Sequence, residues 1–191
     1  VVVACNTATA AAISYLRRTF DIPFVGMEPA VKPAALASRS GVVGVLATAN
    51  TFKGSLYRDT VMKYASDVRI VEKVGRGLVE AVERGVVPYD LIREYVAAMK
   101  DEGVDVIVLG CTHFPFLQEQ IAAAAGPSVR IINPAPAVAA QTRRVVDGIR
   151  DTPSGLRIRE FYSTGDMQVL RRTAMSIDPT LKDCDFHQIN I

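Results

Sequence analysis

Along the chain the spacing of apolar positions switches repeatedly between a period of two and a period near 3.6. Short apolar runs of strand type occupy residues 1–4, 24–26, 42–47, 68–71, 105–110, 129–132 and 156–162. Between most of them lie stretches with helical spacing, at residues 7–18, 51–65, 77–84, 89–101, 115–125, 135–149 and 166–176. Pro115 suits an early helical position, and Gly126-Pro127 stops that helix. Strands alternating with helices predict an α/β fold built on largely parallel sheets. Proline and small residues interrupt the pattern at 26–29 and 133–136, which predicts domain seams there. The first lobe is then residues 1–28 with 134–191, and the second is 29–133.

Composition narrows the class. The chain has 191 residues, 49% hydrophobic and 22% charged, enough to bury a core. A net charge of +2 sets up no long-range field, and the basic residues are scattered, so nucleic acid is not an implied partner. No apolar run is long enough to span a bilayer and no secretory leader is seen, so the expected compartment is the cytoplasm and no membrane partner is implied. Three cysteines, none in a CxxC, form no disulfide framework and are expected to be reduced. The sequence opens at Val1 inside what reads as a buried strand, so an upstream segment is expected.

One pattern occurs twice. VVVACNTATA and VIVLGCTHFPFL each carry a β-branched run ending in a small residue, then a cysteine, a polar residue and a helix-forming tail. Ligands of open parallel sheets bind at the carboxyl ends of strands. Cys5 and Cys111 both fall there, where free N–H groups favour thiolate and seat anions. A single cysteine in such a place reads most simply as a small buried residue; the repetition argues for chemistry.

Three chemistries could use the pair. Cys111 could attack an acyl carbon with His113 as base, which leaves Cys5 unused. Cys5, Cys111 and His113 could hold a metal, but closely spaced ligand pairs are lacking, and no metal is expected. The third is proton transfer at a stereocentre, which needs one acid/base on each face of an sp³ carbon. Thiols suit it, because a pKa of roughly 8.5 lets one start as thiolate and the other as thiol.

The motifs VVVACNTATA and VLGCTHFPFL, with VGMEPAVKPA, GVLATANTFKGSLY, LVEAVERG, IINPAPAVA and FYSTGD in the same order, resemble the glutamate racemases of the aspartate/glutamate racemase family. The resemblance covers nearly the whole chain. It implies a fold of two pseudo-twofold related lobes, each a mostly parallel sheet flanked by helices. It also implies cofactor-independent racemisation of glutamate, supplying D-glutamate for peptidoglycan, with a small-molecule substrate, no cofactor and room for a homodimer. Carried over by residue, Cys5 and Cys111 become the acid/base thiols, assisted at the second thiol by His113, with Glu83 orienting that histidine. Asn6, Thr7, Thr48, Thr51, Thr112 and His113 would hold the substrate. Thr9 and His113 favour glutamate over aspartate, the substrate of the nearest rival racemases.

Plainer roles stand beside these. Each threonine is also a good helix N-cap, Glu83 reads as a solvated helix-end charge, and Cys184 sits in a polar tail with no assigned chemistry. The family's Asp-Ser strand turn and Tyr-Gly loop, which serve the first thiol, do not occur in this sequence, and Asn133 and Ala135 replace the usual aspartate and glycine. Outside the racemases, the rivals are a cysteine hydrolase or amidase and a binding remnant without turnover.

Overall fold

The computed structural model describes residues 1–148 and 159–190. Strand β1 (Val2–Val3) leads through α1 (Asn6–Thr19) to β2 (Val25–Gly26), with which it pairs in parallel. Then come α2 (Val31–Ala37), β3 (Val42–Ala47), α3 (Ala49–Lys53), α4 (Ser55–Tyr64) and β4 (Arg69–Val74). Next are α5 (Leu78–Arg84), α6 (Tyr89–Asp101), β5 (Val106–Gly110), a 3-10 turn at Phe114–Leu117, and α7 (Gln118–Ala125). The remaining elements are β6 (Arg130–Ile132), α8 (Ala135–Asp147), β7 (Glu160–Ser163), α9 (Met167–Ile177), a 3-10 turn at Pro179–Asp183 and β8 (Asp185–Gln188). All described strand pairs are parallel, in sheets ordered β1-β2, β4-β3-β5-β6 and β7-β8. This is the α/β class that the alternating periods predict.

By packing, the chain forms two compact units, Val1–Val82 with Val87–Ile149, and Glu83–Val86 with Arg150–Ile191. The core of the first lies on both faces of the four-stranded sheet. Val43, Val45 and Ala47 of β3 and Val106 and Val108 of β5 face one side, where Val31, Ala34 and Tyr57 from α2 and α4 cover them. Leu46, Ile107 and Leu109 face the other, under Ile92, Val96 and Met99 of α6 and Ile121 of α7. Strands apolar on both faces belong at the centre of a sheet, and β3 and β5 are the two central ones. Edge strand β4, with Arg69 and Glu72 exposed, carries the charges that protect a sheet margin. In the second unit, Phe161 stacks on Phe186 at 4.7 Å and Tyr162 on His187 at 4.9 Å across the β7-β8 pair.

Three departures from the sequence pattern have local causes. Helix α2 was not expected in VKPAALA. Burying Val31 contributes about 1.5–3 kcal/mol, more than the roughly 0.7 kcal/mol spanned by ordinary helix propensities, and Pro33 lies in the first turn, where its missing N–H is harmless. The helix expected over 51–65 breaks at Gly54, where a Cβ would stand 2.8 Å from the Cβ of Ala10 on α1. The break lets α1 lie against α3 and α4. Strand β8, reading DFHQ, has too little apolar alternation to be seen in sequence and exists through its ring pairs with β7. Residues 156–158 of the expected last strand and residue 149 of the expected penultimate helix lie outside the described residues.

At the amino end of β5, Asp105 accepts hydrogen bonds from the Ser38 hydroxyl at 2.6 Å and from the N–H groups of Arg39 and Ser40 at 2.7 and 2.9 Å. Burial alone would raise this carboxyl; the Ser38 hydroxyl and the two N–H groups outweigh it and hold it at about 2. A lowered folded pKa means stability that is present above the unfolded value of 3.8 and is lost as pH falls towards about 2. We therefore expect Asp105→Asn to lower the urea midpoint at neutral pH, with the deficit shrinking as pH drops from about 5 to about 3; a deficit that stays constant with pH would show that the charge is irrelevant.

Candidate active site

Ala47 of β3 lies opposite Gly110 of β5, so Thr48 and Cys111 leave neighbouring strands side by side. The glycine is required there. A Cβ on Gly110 would stand 2.8 Å from that of Ala47 and 3.2 Å from the Leu46 carbonyl oxygen.

Cys5 caps α1 from extended backbone (φ −149°, ψ 124°), is exposed, and its sulfur accepts from the Ala8 N–H at 3.5 Å. The turn is pinned from below by Thr9, fully buried, whose hydroxyl donates to the Val3 carbonyl at 3.1 Å and accepts from the Met27 N–H at 3.0 Å. Asn6 is 3% exposed, and neither side-chain polar atom has a partner among the described residues. Leaving such a group unpaired costs on the order of 1–3 kcal/mol, which is why an unpaired buried amide next to a strand-end cysteine is a candidate for function.

The hydroxyls of Thr7, Thr48 and Thr51 form a triangle, with Oγ1 separations of 3.0, 3.2 and 3.1 Å. It ties the first turn of α1 to the carboxyl end of β3. Neither Thr48 nor Thr7 makes a side-chain cap, so N-capping does not explain these residues; Cys5 takes that position on α1.

Cys111 is half-buried. The expected helix does not begin at Pro115 as an α-helix: a tight turn and the 3-10 segment intervene, anchored by Phe114, which is fully buried in the core. The sulfur thus faces the N–H groups of Thr112, His113 and Phe114 in a turn, instead of the dipole of an α-helix. Burial pushes the Cys111 thiol up, the His113 N–H pulls it down, the charge of Cys5 pushes it up again, and the Phe114 and Thr112 N–H groups pull down, for a net rise. The Nδ1 of His113 lies 3.9 Å from the Cys111 sulfur.

Glu83 is exposed on α5 in the second compact unit, where its carbonyl accepts from Arg172. Cys184 is a half-buried free thiol, also in the second unit. Among the described residues, no group of three or more His, Cys, Asp or Glu side chains is placed to hold a metal ion, and no helix is long and apolar enough to cross a membrane.

Parallel sheets flanked by helices, with cysteine turns after β1 and β5, define an α/β protein with a thiol at the end of each of two strands. Residues 1–142 match the family described as Asp/Glu/Hydantoin racemase, and the chain belongs to that family. It is 51% identical over 151 residues to the glutamate racemase of Roseiflexus sp., covering 76% of this chain and 56% of that protein. It is 43% identical over 185 residues to the glutamate racemase of Methylococcus capsulatus, covering 94% of this chain and 68% of that protein. Against the crystal structure of Escherichia coli glutamate racemase in complex with L-glutamate and the activator UDP-MurNAc-ala, the TM-score is 0.81 at 28% identity, over 98% of this chain and 72% of that one. The fold is therefore aspartate/glutamate racemase-like, as the order of motifs implied. The chain spans less than two thirds of some of these relatives, 56% of the Roseiflexus protein and 59% of its counterpart in Herpetosiphon aurantiacus.

Because the charge of Cys5 raises Cys111, Cys5→Ala should lower the titration midpoint of the Cys111 thiol, read as thiolate absorbance in a Cys184→Ser background. An unchanged midpoint would mean that the sulfurs do not sense each other.

Proposed function

We propose that the protein racemises glutamate without a cofactor, by proton exchange between Cys5, Cys111 and the substrate's Cα. One thiolate removes the Cα proton and becomes a thiol, and the electron pair left on carbon spreads into the α-carboxylate. The opposite thiol then delivers its proton to the other face and becomes the thiolate. Configuration is inverted, and the two sulfurs have exchanged protonation states. Burial raises the Cys111 thiol, which suits that sulfur to the proton-donating role in the first half-reaction.

The observation that carries this reading is the placement of Cys5 and Cys111 just after strands β1 and β5, with the Thr7, Thr48 and Thr51 hydroxyls joining the α1 turn to the end of β3 beside Cys111. The relatives named glutamate racemase, and the Escherichia coli enzyme seen with L-glutamate, support the choice of substrate. We assign the unpaired amide of Asn6 and the hydroxyls of Thr7, Thr48, Thr51 and Thr112 to the substrate's carboxylates and ammonium. Fixing these groups supplies much of the rate, since Cα–H is a very weak acid and orientation is worth up to about 7–11 kcal/mol. The N–H groups facing Cys111 stabilise its thiolate when its turn comes. His113 assists Cys111. In the cell the product would serve peptidoglycan synthesis in the cytoplasm.

A cysteine hydrolase would also place an imidazole near a sulfur, as His113 is near Cys111. Burial raises the Cys111 thiol, so such an enzyme would have to use His113 as its base. That reading gives Cys5 no task.

With the full-length protein and L-glutamate in D₂O, optical rotation should decay and deuterium should enter Cα with no added cofactor. Cys5→Ser and Cys111→Ser should each lower kcat by at least about 100-fold, while Cys184→Ser leaves it nearly intact. Exchange that persists in both single variants would rule out the two-thiol route.

A further inference from the structure

We propose that Asn133 is a positioning residue for the two-thiol site, clamping the loop that follows Cys111 to the chain crossing that leads back towards Cys5. The proposal rests on the racemase reading above. Within the first compact unit, the chain passes between the β1-β2 pair with α1 and α8, on one side, and the four-stranded sheet with its helices, on the other. It does so at residues 26–31 and at residues 132–135. Each crossing carries a side-chain fastening on the flank of one cysteine. At the first, Thr9, four residues beyond Cys5 on α1, holds the Met27 N–H and the carbonyl of Val3, two residues before Cys5 on β1. At the second, the Asn133 Oδ1 accepts from the Ala135 N–H at 2.9 Å, and its Nδ2 donates to the Gln118 Oε1 at 3.0 Å.

The two halves of that amide do different things. A backbone N–H can only donate, so the Ala135 bond fixes Oδ1 towards α8 and Nδ2 towards Gln118. The oxygen holds the first N–H of α8 from just outside the helix, a contact that an aspartate oxygen would make as well. The nitrogen does nothing for α8. It grips the first residue of α7, which follows Cys111 directly through the turn and the 3-10 segment. From α8 the path continues to β2, against which α8 packs, and across the β2-β1 pairing of Val3 with Gly26 to Cys5. The bridge between Gln118 and Asn133 is thus a short mechanical link between the elements that bear the two sulfurs. Proton exchange between opposite faces of one carbon depends steeply on that spacing.

The test uses the full-length protein in a Cys184→Ser background. Gln118→Glu keeps an acceptor for the Asn133 amide, and Asn133→Asp keeps the α8 contact while Gln118 can turn its own amide to donate. Each single variant should lose no more than about threefold in kcat, whereas the double variant, with two carboxylates facing each other, should lose about tenfold with KM changed less than about threefold. Cross-linking of Cys5 to Cys111 by dibromobimane reads the sulfur spacing with no reference to turnover, and its rate should change by more than about threefold only in the double variant. If the double variant folds poorly, Gln118→Ala should shift both readouts in the same direction by less. A double variant that turns over and cross-links like its parent, or that shows only a lower melting temperature, overturns the clamp. If the parent fails to racemise glutamate, the functional reading falls, and the cross-linking rates alone decide the clamp.

Discussion

The site depends on one constraint: the α1 turn that carries Cys5 and the exit of β5 that carries Cys111, which follow strands of different sheets, must be held at one end of those strands. Parallel pairing makes this achievable. Strands that run the same way deliver all their exit loops to one end of the sheet, so Thr48 and Cys111 emerge together, and Gly110 lets the last residues of β3 and β5 approach. The threonine triangle then brings the α1 turn, and Cys5 with it, to that same end.

The two thiols are repeated in sequence but not equal in surroundings. Cys5 is exposed at the start of a fourteen-residue α-helix and accepts one N–H. Cys111 is half-buried before a 3-10 turn and faces three. For Cys111 the cost of burial outweighs the help of those N–H groups. The turn keeps its thiolate accessible without making it the resting form.

The sequence carried the strands β3 and β5, helix α6 and both cysteine turns, because in each the signal is local. β-branched runs end in a small residue before cysteine, and Ile92, Val96 and Met99 recur at helical spacing. It did not carry α2, the break at Gly54 or β8, because each is decided by a partner remote in sequence: the sheet face for Val31, Ala10 for Gly54, and the β7 rings for β8. The same division runs through the site. Cysteines and threonines announce themselves by type and place, whereas the bridge from Gln118 to Asn133 joins residues fifteen positions apart in ordinary-looking stretches. Asn133 stood out only as a departure from an aspartate, and its amide nitrogen, which aspartate lacks, is the atom that makes the bridge.

The inequality of the thiols bears on direction. A racemase interconverts mirror images of equal free energy, so nothing in an asymmetric site can shift the equilibrium; it can only set which protonation state of the pair predominates in the free enzyme. On the two-thiol proposal, the form with the proton on Cys111, which burial favours, accepts the enantiomer whose Cα–H faces Cys5. The other enantiomer needs the proton on Cys5, a state that is reached either by turnover or by exchange with solvent. Cys5, exposed as it is, can trade its proton with water quickly, whereas Cys111 is half-buried. On the two-thiol proposal, recovery of the first form needs a proton lost from Cys5 and another gained by Cys111, so the half-buried sulfur sets its pace, a kinetic consequence of unequal burial where there can be no thermodynamic one.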